Sequence, residues 1–108
     1  MSDEKLDLLQ GTLDVLILKA LALEKLHGLG IARRIEQMTR DTFQVKAGSL
    51  FPALQRMKDK GWITVVDNLD EGKAVFYQLT VAGKRQLADK SRQWDRISAA
   101  MRWALKAE

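Results

Sequence analysis

Residues 47–63, AGSLFPALQRMKDKGWI, hold the side chains best placed for chemistry in this chain of 108 residues. Leu50, Phe51, Leu54 and Met57 fall at helical spacing and form an apolar stripe. Lys46, Ser49, Ala53, Arg56 and Lys60 recur at steps of three and four on another face. That face offers a hydroxyl, small side chains and three cations, and no carboxylate. A helix showing it can lie in a DNA major groove, where base edges want small polar groups and the flanking phosphates attract positive charge. An ordinary solvated helix face is the alternative, and the neighbouring elements decide between the two.

Lys60-Gly61 ends the helix with a cation in the last turn and a residue that tolerates positive φ. Residues 62–66 are β-branched and aromatic, a strand signal, and 67–73 are a turn cluster. Residues 74–79 form a second strand, with Val75, Tyr77 and Leu79 on one face and Phe76 and Gln78 on the other. Thr80 opens another helix as a hydroxyl N-cap. Two helices precede this unit. Residues 11–23 carry Leu13, Leu16, Ile17, Ala20 and Leu21 on one stripe and Val15, Leu18 and Ala22 on a second. A helix apolar most of the way round is buried on both sides, so one stripe faces the core and the other asks for a partner. Residues 29–38 follow, with Ile31, Ala32, Ile35 and Met38 inward, and 39–44 make the turn into residues 47–63. The expected fold is mainly α with a small β-hairpin. It reads as a winged helix-turn-helix in residues 1–80 and a C-terminal dimerisation helix in 81–108, together one compact unit.

The sequence resembles the PadR family of bacterial transcriptional regulators from Leu8 to about Leu105. LLQGTLDVLILKAL from Leu8, HGLGIARRI from His27, GSLFPALQRMKDKGWI from Gly48 and FYQLTVAGKRQL from Phe76 carry the resemblance, in order and at the right spacing. The single short C-terminal helix is similar to that of the smaller subgroup. The resemblance implies a dimeric repressor that binds a palindromic operator and releases it when a small molecule or stress cue arrives. Two departures stand out. Phe51 replaces the tyrosine common in the Gly-Ser/Thr-Leu-Tyr-Pro motif, so a hydroxyl is missing. The wing, commonly rich in Arg and Lys, reads Leu69-Asp70-Glu71-Gly72-Lys73, with one cation and two carboxylates.

Composition bounds the rest. The length suits one domain, small enough to gain from a dimer interface. The net charge of +4 fits an anionic partner. Its distribution does not follow the candidate reading helix: residues 1–40 hold six cations and six anions, 41–80 five and five, and 81–108 seven and three. With no cysteine there are no disulfides, Cys-zinc sites or thiol catalysis, and the chain suits the reducing cytoplasm. The start, MSDEKLDLLQ, does not read as a signal peptide. The longest apolar run, 13–23, is broken by Asp14 and Lys19 and falls short of the ~20 residues a membrane span needs.

Enzymatic patterns are thin. Gly28-Leu29-Gly30 starts a dinucleotide fingerprint, but Arg33 stands at the third glycine, and the motif is expected to follow a helix and not a strand. His27 is the only histidine, which argues against a metal site and suits a packing or capping residue. Asp70-Glu71 lies in a turn without a pocket. No enzyme, metal or cofactor is expected.

Residues 81–106 form a helix longer than the core can cover. Leu87, Trp94, Ile97, Met101, Ala104 and Leu105 run near a seven-residue repeat, which seeks another helix. Trp103 lies off that stripe. The reading is a homodimeric winged-helix transcription factor on double-stranded DNA. Lys46, Ser49, Ala53 and Arg56 would face the groove, with Gln44, Arg34 and Lys73 toward phosphates. Val15, Leu18, Ala22, Leu87, Trp94, Ile97, Met101 and Leu105 would form the dimer. Trp94 would also line the site of a small aromatic effector. A winged helix that binds protein, or a dimer that traps a ligand without specific DNA binding, are the competing readings.

Overall fold

The second helix begins where a histidine supplies the cap. In the computed structural model, which describes residues 6–7, 10–67 and 75–107, His27 Nδ1 accepts the Gly30 N–H at 3.0 Å. This meets one of the four donors a helix start leaves open. His27 therefore does a capping job, and its ring also stands edge-on to Phe76 at 5.7 Å.

The described elements run β1 Leu6–Asp7, α1 Gln10–Ala20, β2 Leu26–His27, α2 Gly28–Met38, β3 Phe43–Gln44, α3 Ala47–Asp59, β4 Ile63–Asp67, β5 Val75–Leu79 and α4 Val81–Lys106. The hairpin is antiparallel, with Ile63 opposite Leu79 and Val65 opposite Tyr77. The mainly helical winged helix-turn-helix expected from the sequence is present. Three short strands were not expected. Leu26–His27 adds a third strand on β5, and Leu6–Asp7 pairs in parallel with Phe43–Gln44. Two-residue strands carry no periodicity, so only their distant partners reveal them. Helix α1 stops at Ala20, three residues earlier than its apolar pattern suggests, and Leu23 is exposed in the bend that follows. No described helix is long and apolar enough to cross a membrane.

The core gathers Leu13, Ile17 and Leu18 from α1, Ile31 and Ile35 from α2, Leu50, Leu54 and Met57 from α3, and Ile63 and Leu79 from the sheet. Leu18, expected at a dimer interface, has no exposed surface at all and belongs to this core. Ala22 and Leu87 pack against the same core from its edge. The second stripe of α1 finds much of its cover inside the chain, because α4 folds back along α1.

The junction between sheet and α4 is tight. Thr80 Oγ1 accepts the Gly83 N–H at 3.0 Å and donates to the Gly61 carbonyl at 2.6 Å. A Cβ on Gly83 would stand 2.0 Å from the Trp62 carbonyl oxygen, so only glycine lets α4 sit this close. Gly83→Ala is expected to cost ~1–3 kcal/mol through overpacking. Gly11→Ala, in α1 with open space around the methyl it would gain, should instead add up to ~1 kcal/mol from helix propensity. Thermal melts of the two variants should move in opposite directions.

Candidate nucleic-acid interface

The position of α3 is set from both ends. Before it, α2 closes with the Arg40 N–H on the Gln37 carbonyl at 3.1 Å and the Asp41 N–H on the Glu36 carbonyl at 2.8 Å. This is the crossed pair of bonds of a Schellman ending. Arg40 and Asp41 hold φ of 51° and 59°, a left-handed turn made without glycine. Glu36 Oε2 then accepts the Val45 N–H at 3.2 Å and steadies the approach. After α3, Gly61 takes φ 77°, and the N–H groups of Gly61 and Trp62 reach the Lys58 and Met57 carbonyls, each at 3.0 Å. The stop read from Lys60-Gly61 is this second Schellman ending. The ammonium groups of Lys60 and Lys90 both stand over the Trp62 ring, 4.7 and 5.1 Å from its centre.

The roll of α3 about its own axis comes from its side chains. Leu50, Ala53, Leu54 and Met57 are buried. Arg56 turns inward and pairs with Asp14, whose side chain is 7% exposed. Its Nε is buried without a hydrogen-bond partner. The expectation that Ala53 and Arg56 face a groove is therefore wrong: Ala53 is 2% exposed and Arg56 is a strut to α1. Phe51, read as part of the inward stripe, is 50% exposed. Its ring lies over Gly28, where a Cβ would stand 2.9 Å from the ring edge.

The outward side of α3 is instead built from Gly48, Phe51, Pro52, Gln55, Lys58 and Asp59, with Ser49 exposed on its flank and Lys46 exposed just before the helix. Pro52 has no N–H for the Gly48 carbonyl one turn back, so that intrahelical bond is not made. Gln55 and Asp59 were not singled out from the sequence. The signal that could have found them is Asp14. A carboxylate inside an apolar helix needs a cation, and Arg56 at the apolar edge of α3 supplies it.

The remaining sequence candidates are scattered. Arg34 Nη2 donates to Glu24 Oε1 at 2.6 Å. Gln44 is half-buried in β3. Lys73 lies outside the described residues.

Residues 17–89 match the PadR-like family of transcriptional regulators. The chain belongs to this family. As a PadR-like protein it is a transcriptional regulator and not an enzyme. An uncharacterised protein of Lysinibacillus sphaericus is 30% identical over 93 residues, 84% of this chain and 85% of that one. A PadR family transcription regulator from hypervirulent Clostridium difficile superposes with a TM-score of 0.74 at 31% identity, over 86% of this chain and 97% of that one. A transcriptional regulator from Clostridium thermocellum shares the fold with a TM-score of 0.83 at 22% identity, over 90% and 96%.

In this PadR-like chain α1 is a wall with two used sides. Toward α3 it carries Asp14, beside a hollow of about 210 Å³ lined by Gln10, Leu13, Ser49, Pro52 and Arg56. Toward α4 it carries Val15, in a groove of about 280 Å³ shared with Thr12, Lys90, Gln93, Trp94 and Ile97. Trp94, Ile97, Met101 and Leu105 are 47%, 49%, 52% and 78% exposed.

The strut can be tested directly. Arg56→Ala strands the Asp14 carboxylate and is expected to cost near the low end of ~3–5 kcal/mol, because water still reaches part of Arg56. Removing both charges, by Asp14→Leu with Arg56→Met, should cost less than Arg56→Ala alone. Urea midpoints measure both. Equal losses would mean that Arg56 contributes packing and not charge.

Proposed function

We propose that this regulator is a cytoplasmic homodimeric repressor that lays α3 in the major groove of each half of an inverted repeat. The observation that carries the reading is the outward face of α3, which is free of core contacts and held in a fixed roll by Arg56 and Asp14. Base edges are read by side chains on such a face, while cations at its margins hold the phosphates. Lys46 and Ser49 remain groove-side residues in this reading. Gln44, Arg34 and Lys73 remain phosphate candidates. The Arg34–Glu24 pair is no obstacle, since an exposed ion pair is worth only ~0–1 kcal/mol and a phosphate can displace the carboxylate.

Four large apolar side chains exposed along one face of α4 support the dimer. Trp94, Ile97, Met101 and Leu105 are the interface residues in this reading, with Val15 at its edge. With two copies in register the reading helices stand about 34–36 Å apart, one turn of DNA. The protein should sediment as a dimer at micromolar concentration and retard an inverted repeat from its own promoter region. Ser49→Glu should keep the dimer and the melting temperature and lose the retarded band, because it sets a carboxylate against phosphate. A variant that still retards the operator would remove Ser49 from the groove, and a monomeric wild type would remove the palindrome.

The groove between α1 and α4 supports the effector reading. It is lined by an indole and aliphatic carbons and edged by Lys90 and Gln93, a setting that suits a flat aromatic molecule. Such a ligand acts only if it prefers one spacing of the two α3 helices over the other. Planar aromatic compounds should quench Trp94 fluorescence and release the operator over the same concentration range. Quenching with operator affinity unchanged would make the protein a constitutive binder.

A further inference from the structure

Phe51, Gln55 and Asp59 follow one another at successive turns, so they form one straight ridge on the outward face of α3. Gln55 Nε2 donates to Asp59 Oδ1 at 2.9 Å. A carboxylate can only accept, so this bond settles which way round the Gln55 amide stands. It also ties down a side chain that would otherwise lose rotamer freedom on meeting DNA. One N–H and the Oε1 carbonyl of Gln55 take no other hydrogen bond among the described residues.

A donor and an acceptor side by side match the major-groove edge of adenine, where N6 donates and N7 accepts. Guanine shows two acceptors there and asks for Arg or Lys. None of the three ridge residues is a cation; Lys58 is exposed at the margin of the same face, where phosphates lie, and Arg56 is committed to Asp14. The Asp59 carboxylate adds a further acceptor, which disfavours guanine again. Phe51, one turn before Gln55, presents exposed ring carbon of the kind that meets a thymine methyl. We propose that Gln55, held by Asp59, selects an adenine in each half of the operator. The proposal rests on α3 lying in the major groove.

The test is selection of bound duplexes from a randomised pool by the wild-type protein and by Gln55→Ala, with melting curves to show that both are folded. The wild type should enrich a half-site in which one adenine is preferred by about 5- to 150-fold over other bases. Gln55→Ala should lose the preference at that position and keep it elsewhere. Replacing that adenine by 7-deazaadenine, which lacks the N7 acceptor, should weaken the wild type and leave Gln55→Ala unaffected. If Gln55→Ala enriches the same adenine as strongly as the wild type, the assignment of Gln55 is overturned while the groove reading stands. If the wild type enriches no half-site, the groove reading falls and the assignment falls with it.

Discussion

The face that α3 turns outward depends on one ion pair, Arg56 to Asp14. Leucine and methionine hold α3 on the core, but apolar burial has no direction and tolerates a modest roll of the helix. A charge-assisted bond does have direction. Asp14 is 5% exposed, and a carboxylate that far from water stays put only while its cation does. Arg56 therefore pins the last turn of α3 to the middle of α1. The roll it sets buries Ala53 and carries Phe51, Gln55 and Asp59 to the outside.

A second constraint acts at the far end of α3. The Gly61 turn hands the chain to Trp62, whose carbonyl lies close against Gly83 and accepts the Thr80 N–H at 3.1 Å. The start of α4 is thus fixed against the end of α3, and its direction follows. From there 26 residues run for about 39 Å, longer than the core beneath them. The first part of α4 finds Leu79, Trp62 and α1. The later part, with Met101 and Leu105, leaves its apolar face open. Helix α1 stands between these two systems, with Asp14 toward α3 and its neighbour Val15 toward α4.

Much of this was legible residue by residue. His27 before Gly28, Thr80 before α4 and Gly61 after α3 each act as their types suggest, since caps and left-handed turns are local chemistry. The helices and the hairpin followed from period 3.6 and period 2. The short strands did not, because a two-residue strand exists only through its partner, as Leu26 does through Tyr77. Residues 39–44 were legible as a turn, but not the left-handed pair inside it, since Arg40 is not a type that positive φ favours, although Asp41 is.

By itself the sequence determined the order of the four helices and the hairpin, most of the apolar side of each helix, and the caps and stops at His27, Gly61 and Thr80. These rest on interactions within a few residues along the chain. Only the tertiary structure decided which of the remaining sides face inward. Arg56 and Ala53 lie on the edge of the apolar stripe of α3, where spacing permits either side. Their burial was settled by a carboxylate 42 positions away in α1, which needed a cation once the core had closed around it. Leu18 was settled in the same way, from a stripe that asked for a second chain to a place fully inside the first. Position along a helix is a local matter, whereas burial depends on which surfaces long-range packing brings together.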